Sequence, residues 1–200
     1  MDVRKPIFDA VRGAAPKGLF NDAGNVLALD NLLDAFGVAR PVVTELRTSA
    51  AGIALMHKWE GCARKRSDGQ FEAYPDPGSK DGKPWTIGWG STGSDIGPGT
   101  VWSQAQCDAR FVNDLVRYEK EVRAAIGSSP TTQAQFDALV SFHYNTGAIG
   151  KATLTRRHVA GDYAGTAAEF GKWIYNDGAV MEGLKRRRAD EAALYAGGAA

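Results

Sequence analysis

The stretch EAYPDPGSKDGKPWTIGWGSTG, Glu72–Gly93, interrupts a chain that is otherwise patterned for helix. It sets Asp76 between two prolines, passes through a glycine-rich turn and ends in a short aromatic strand, PWTIGWG. Proline lacks the N–H that a helix interior needs, and glycine is the residue that loses most freedom there. Asp68-Gly69 and Asp81-Gly82 carry the composition of tight turns, so residues from Cys62 onward read as a hairpin followed by a further turn and strand. Before this region, a helix is expected from Thr44 to Trp59. Leu46, Ala50, Ile53 and His57 step along one face of it, and the next step lands on Glu60.

After the β region the spacing is helical to the end of the chain. Ser103 is placed to cap a long helix bearing Phe111, Leu115, Tyr118, Val122 and Ile126. Thr132 and Gln135 form a capping box for a helix striped with Phe136, Leu139, Val140, His143 and Tyr144. Shorter helices are expected around 152–159, 162–173 and 184–195. The fold class is α+β, with a small β-hairpin lobe, a larger helical lobe and a cleft between them.

Residues 1–44 read as an N-terminal helical extension and linker, and 45–200 as the main domain. PIFDAVRGAA and NDAGNVLALDNLLDAFG form two helices, the second with Leu29, Leu32, Leu33 and Phe36 on one stripe and Gly37 as its C-cap. Val38–Val43 is a linker. A net charge of +1 carries no overall nucleic-acid signature, so no nucleic-acid partner is expected. The balance is uneven, with eight Lys/Arg against four Asp/Glu from Lys151 to Arg188. That run, ending in KRRR, reads as a solvated helix face or as a surface for an anionic polymer. Cys62 and Cys107 do not make a disulfide framework and are expected to be reduced. With no export signal at the N-terminus and no membrane span, the expected location is the cytoplasm, with no membrane insertion.

Two carboxylates stand out chemically. Glu60 continues the phase of an apolar face and ends a helix that Gly61 can cap, so burial and the negative helix end are both expected to raise its pKa toward the range of a general acid. The competing structural reading is a helix-ending Glu tied to an arginine. Asp76 lies in a polar, turn-rich strip and is expected to stay ionised. One protonated and one charged carboxyl group are what glycosidic bond cleavage requires. Thr86, on the strand, offers a hydroxyl that can hold a water beside Asp76, or simply suits a strand. Tyr74, Trp85 and Trp89 can present flat surfaces to sugar rings or fill the core.

Together, WEG, YPDPG and PWTIGWGSTG resemble the bacteriophage lysozymes (endolysins) of glycoside hydrolase family 24. The similarity continues through ALVSFHYNTGAIGKATL and GLKRRRADEAALY, covering about residues 45–196. The resemblance implies a lysozyme-like fold and a muramidase that hydrolyses the β-1,4 bond between N-acetylmuramic acid and N-acetylglucosamine in peptidoglycan. It implies Glu60 as general acid, Asp76 as base or charge stabiliser and Thr86 as the water-positioning partner. It also places Tyr144, Asn145 and Thr153 on the far side of the saccharide cleft, and lets an arginine of Arg186–Arg188 reach Glu60. A monomer is expected, without metal or cofactor, depending on a separate holin-type protein for release to the wall.

Two departures from the family pattern matter. The stretch between Glu60 and Asp76 is longer than usual, the extra residues extending the RKRSDGQF hairpin. Asp68 is thereby a formal rival for Asp76, set aside because a turn tip points away from a cleft. Ser91 stands where the family often has histidine. His57, His143 and His158 do not form a metal set and read as packed core histidines. The alternatives to a hydrolase are a lytic transglycosylase, which needs no activated water, and a non-catalytic wall-binding or virion module on the same scaffold.

Overall fold

Arg4, with its side chain almost wholly buried, organises the first two helices, α1 (Lys5–Ala14) and α2 (Ala23–Ala35). Its guanidinium donates to the Asp30 carboxylate (2.8 Å) and the Asp30 carbonyl (2.9 Å), to Asp34 and to the Val38 carbonyl (3.1 Å from Nε). Asp22 caps α2 by accepting from the Gly24 N–H at 2.7 Å. Gly37 follows α2 with φ +69°, the left-handed position that a terminating glycine takes. The expected apolar stripe divides: Leu33 is buried and Leu29 half-buried, whereas Leu32 and Phe36 are exposed. A pair of short helices has too little facing surface to cover all four, and an ion cluster occupies the place of a core. The computed structural model describes residues 3–38, 45–76, 79, 81–176 and 178–198, so most of the expected linker lies outside the described residues. The chain forms two units, Met1–Glu45 and Leu46–Ala200.

In the second unit, α3 (Ala50–Glu60) starts later than the spacing suggests. Ser49 explains this. Its Oγ accepts from the N–H groups of Ala51 (3.2 Å) and Gly52 (3.4 Å), and Asp137 holds Ser49 through its N–H (2.9 Å) and hydroxyl (2.5 Å). A hydroxyl that satisfies the first free N–H groups sets the helix start. At the other end, Gly61 turns the chain with φ +63° and donates to the His57 carbonyl (3.3 Å).

The β region then forms two small antiparallel sheets. β1 (Phe71–Glu72) pairs with β5 (Val101–Trp102), while β2 (Tyr74–Pro75), β3 (Trp85–Ile87) and β4 (Ser91–Thr92) lie in the order β2-β3-β4. The register sets Tyr74 opposite Thr86 and Thr86 opposite Thr92. Phe71, Ala73 and Ile87 point to a small core with Ile96 and Cys107, so alternation sends Tyr74, Thr86 and Thr92 to the other face. Both sequence-expected turns form, with Gly69 at φ +83° and Gly82 at φ +71°.

α4 (Gln104–Ile126) and α5 (Gln133–Thr146) carry the expected capping boxes, Ser103 with Gln106 and Thr132 with Gln135. α5 is buried all round from Gln135 to His143, which makes it the central helix of the lobe. Around it pack Met56, Phe111, Leu115, Leu154, Phe170 and Leu194. α6 (Thr153–Val159) and α7 (Tyr163–Phe170) follow, then α8 (Glu182–Tyr195). The expectation of helix to the end of the chain fails at one place. A hairpin of β6 (Tyr175–Asn176) and β7 (Ala179–Val180) precedes α8, turning at Gly178 with φ +79°. Strands of two residues are too short to show alternation in the sequence.

Gly52 gives a test of this packing. In an open helix, alanine would be favoured over glycine by about 1 kcal/mol. Here a Cβ would stand 2.8 Å from both the Asp137 carboxyl carbon and the Thr48 methyl. Gly52→Ala is therefore expected to destabilise the protein by about 1–3 kcal/mol in denaturant unfolding. A stabilised variant would refute the close fit of α3 on α5.

Candidate active site

Glu60 ends α3 with its side chain about one-fifth exposed (22%), and Arg187 of α8 donates to its Oε1 at 2.6 Å. Its surroundings are thus an ion pair, not the apolar pocket that the periodicity suggested. α8 lies across the end of α3 and brings a buried guanidinium to it. Arg187 is the member of the arginine run that reaches Glu60. It also donates from Nε to Glu191 Oε1 (3.1 Å), and Ser141 Oγ donates to the same oxygen at 2.8 Å. Arg188 completes the group, with Nη2 on Glu191 Oε1 (3.0 Å) and on Asn145 Oδ1 (2.9 Å), and its guanidinium carbon 5.3 Å from the Phe142 ring centre.

The KRRR run is therefore not a uniformly solvated face: Arg187 and Arg188 are buried and Lys185 and Arg186 exposed. Glu60 and Glu191 balance Arg187 and Arg188 in charge. Burial raises the Glu191 carboxyl above its ordinary range, against the pull of both arginines, and lowers Arg188. The chain spacing held a signal for this: Arg187 and Arg188 stand four and three residues before Glu191, the separations that meet on one helix face.

Asp76 follows β2 directly. Its N–H donates to the carbonyls of Gly82 (3.1 Å) and Pro84 (3.2 Å), and its carbonyl accepts from Ser79 (3.2 Å). It is half-buried, two residues beyond Tyr74, whose strand partner is Thr86. Thr86 sits in the central strand of that sheet. Asp68, by contrast, is exposed at the hairpin turn. Its carboxylate accepts from Gln70 N–H (3.0 Å) and Arg66 Nε (3.2 Å), which hold it below the usual carboxylate range, the backbone bond foremost.

The face of Thr86 leads to a cavity of about 320 Å³ lined by Gly90, Thr92, Asn113, Asp114, Tyr118 and Tyr144, among others. Sheet residues thus face helix residues across one recess. Tyr144 donates to the Trp89 carbonyl (3.0 Å), and burial, then the charge of Glu60, pushes its phenol above the ordinary range. Asn145 lines a second cavity of about 620 Å³ with Trp173, Tyr175 and Lys172. Among the described residues no hydrogen bond joins Thr153 to this group: its hydroxyl accepts from Arg156 (2.7 Å) within α6. Trp89 has one face covered by His57, centroids 3.7 Å apart and nearly parallel, and its indole N–H donates to Asp108 at 2.6 Å. Tyr74 lies under Arg64 at 5.3 Å. His143 and His158 are buried and bonded within the helical lobe, to Glu121 (2.5 Å) and to Tyr195 and Thr131 (2.5 and 2.8 Å).

A small sheet and a helical lobe flanking a recess, with a carboxylate at the end of α3, define the lysozyme-like class. The muramidase domain of SpmX from Asticaccaulis excentricus superposes with a TM-score of 0.63 at 32% identity, covering 74% of this chain and 97% of that one. The endolysin from Escherichia coli O157:H7 phage FAHEc1 gives a TM-score of 0.59 at 31% identity, covering 74% and 92%. Residues 57–191 match the Phage lysozyme family, and the chain belongs to it. The endolysin of Bacillus phage PZA is 37% identical over 155 residues, 76% of this chain. The chain spans about half the length of that relative and of the Bacillus phage B103 endolysin, 56% and 54%.

His57 supplies a pH test. Its ring is stacked on Trp89, its Nε2 is buried without a hydrogen-bond partner, and burial lowers its pKa, opposed by Asp108. A histidine held neutral in the fold but free to protonate near pH 6.5 when unfolded stabilises the fold above that pH. This contribution is lost as pH falls below it. His57→Phe keeps a stacked ring and removes both the orphaned nitrogen and the titration. It is expected to gain about 1 kcal/mol at neutral pH. Denaturant titrations below pH 6.5 should show a flatter acid loss than the parent. A destabilised variant, or one with a parallel pH profile, would contradict this.

Proposed function

We propose that the chain is a muramidase that hydrolyses the β-1,4 bond between N-acetylmuramic acid and N-acetylglucosamine in bacterial peptidoglycan, in phage or prophage host lysis. The observation that carries the reading is the pairing of Glu60 with Arg187 at the end of α3, in a chain whose Asp76 directly follows the strand that pairs with the one carrying Thr86. Arg187 engages one carboxyl oxygen of Glu60, so the other is available to the glycosidic oxygen. In this mechanism protonated Glu60 gives its proton to the leaving oxygen as the C1–O bond breaks. Asp76 takes a proton from a water that Thr86 Oγ1 holds, and that water attacks C1 with inversion. Balanced by Arg187, the carboxylate left on Glu60 does not stand as a lone buried charge.

The relatives named as endolysins, and the neighbour named as a muramidase domain, support the same reading. Tyr74, Trp89, Tyr144, Asn145 and Thr153 are proposed to contact the glycan strand. Residues 45–200 are proposed as the catalytic domain and 1–44 as a separate helical extension. Among the described residues no helix is long and apolar enough to cross a membrane. The enzyme is proposed to act as a monomer, to accumulate in the host cytoplasm and to reach the wall through a lesion made by a holin-type protein.

Clearing of permeabilised Gram-negative cells is the test. Glu60→Gln is expected to abolish clearing with an unchanged thermal transition, and Asp76→Asn to reduce it by about 100-fold or more. Asp68→Asn should clear at the parental rate. Full clearing by the Glu60 variant would remove the proposal, and loss with Asp68→Asn alone would reassign the second carboxylate.

A further inference from the structure

Arg64 has φ +56°, and among the described residues it is alone among non-glycines in a left-handed backbone. It lies between two bridges, Ala63 with Gly88 and Lys65 with Phe71, and its carbonyl accepts from Glu72 N–H at 3.2 Å. A glycine would fill this kink without strain. The kink aims the Arg64 side chain at Tyr74, with its guanidinium carbon 5.3 Å from the ring centre. Tyr74 stands opposite Thr86, and Thr86 opposite Thr92, which lines the recess beside Tyr144. Arg64 therefore stands at one end of a row, Tyr74, Thr86 and Thr92, whose other end is that recess.

The neighbouring cation is used differently. Arg66 is engaged by Asp68 at 3.2 Å and by Glu72 at 3.7 Å. No carboxylate pairs with Arg64 among the described residues, and its side chain is exposed. A guanidinium seated over an aromatic ring can still offer N–H groups to a carboxylate and loses less freedom in doing so than an unsupported one.

We propose that Arg64, seated on Tyr74, is an anion-binding position that takes a carboxylate of the peptide carried by a muramoyl residue as the glycan strand leaves the reaction centre. It sits in the extended hairpin between Glu60 and Asp76, and on this account the extension selects strands that bear acidic peptides over uncharged glycans. The inference rests on peptidoglycan being the substrate.

The test compares native sacculi with sacculi whose carboxyl groups have been converted to amides. Binding is measured by co-sedimentation in a Glu60→Gln background, and turnover with Glu60 restored. Arg64→Gln is expected to weaken binding to native sacculi and raise KM by about three- to five-fold, with kcat unchanged. Amidated sacculi should bind the Arg64 parent as weakly as the variant, and the variant should not distinguish the two. Arg64→Gly, which suits the left-handed backbone, should lose the same binding while its thermal midpoint stays level or rises, a combination that a purely structural arginine would not produce. Equal binding by parent and variants, or a loss that persists on amidated sacculi, would overturn the proposal. Arg64-dependent binding without turnover by the Glu60 form would uphold it and defeat the hydrolase reading instead.

Discussion

Two guanidinium groups and a carboxylate on α8 are withdrawn almost completely from water, and the second carboxylate that balances them, Glu60, belongs to α3. Taking such charges out of water costs several kcal/mol per ion, and their mutual attraction repays this only with good geometry. What the cluster supplies is position. Arg187 touches Glu60 and Glu191 at once, Ser141 of α5 donates to Glu191, and Arg188 ties in Asn145. Three helices are thereby registered at one point, and the point is the end of α3, where Glu60 stands.

The sheet contributes the opposite kind of constraint. Its strands are too short to carry a large core, so the side chains on its outer face are held by register alone. Tyr74, Thr86 and Thr92 fall in line because β2, β3 and β4 pair without a slip, and a one-residue shift would turn Thr86 inward and Ile87 outward. Ile87, wholly buried, opposes that slip. A charge cluster at the end of α3 and a hydrophobic register in the sheet place the candidate groups by independent means.

Much of this was legible in the sequence because local chemistry decided it. Ser103 and Thr132 announce their helices through capping boxes, Gly61 ends α3, and Asp68-Gly69 turns the hairpin. The motif residues Glu60, Asp76 and Thr86 could be singled out by chemical type and order. What was not legible depended on distant residues. The start of α3 is set by Asp137 acting on Ser49, across 88 positions of sequence. The partner of Glu60 lies 127 residues away, and three adjacent arginines offer no local means of choosing among them. That His57 covers one face of Trp89 was not legible either, because an aromatic in a glycine-rich strand gives no hint of its distant neighbour.

In the proposed mechanism, water is delivered to the sugar carbon on the side of Asp76 while Glu60 protonates the leaving oxygen. Digestion of purified peptidoglycan in heavy-oxygen water, with mass spectrometry of the released muropeptides, tests it most directly. The account predicts free reducing N-acetylmuramic acid ends that carry the heavy oxygen at C1, and no label at N-acetylglucosamine ends. Unlabelled 1,6-anhydro ends, or strands left intact by a folded enzyme, would contradict it.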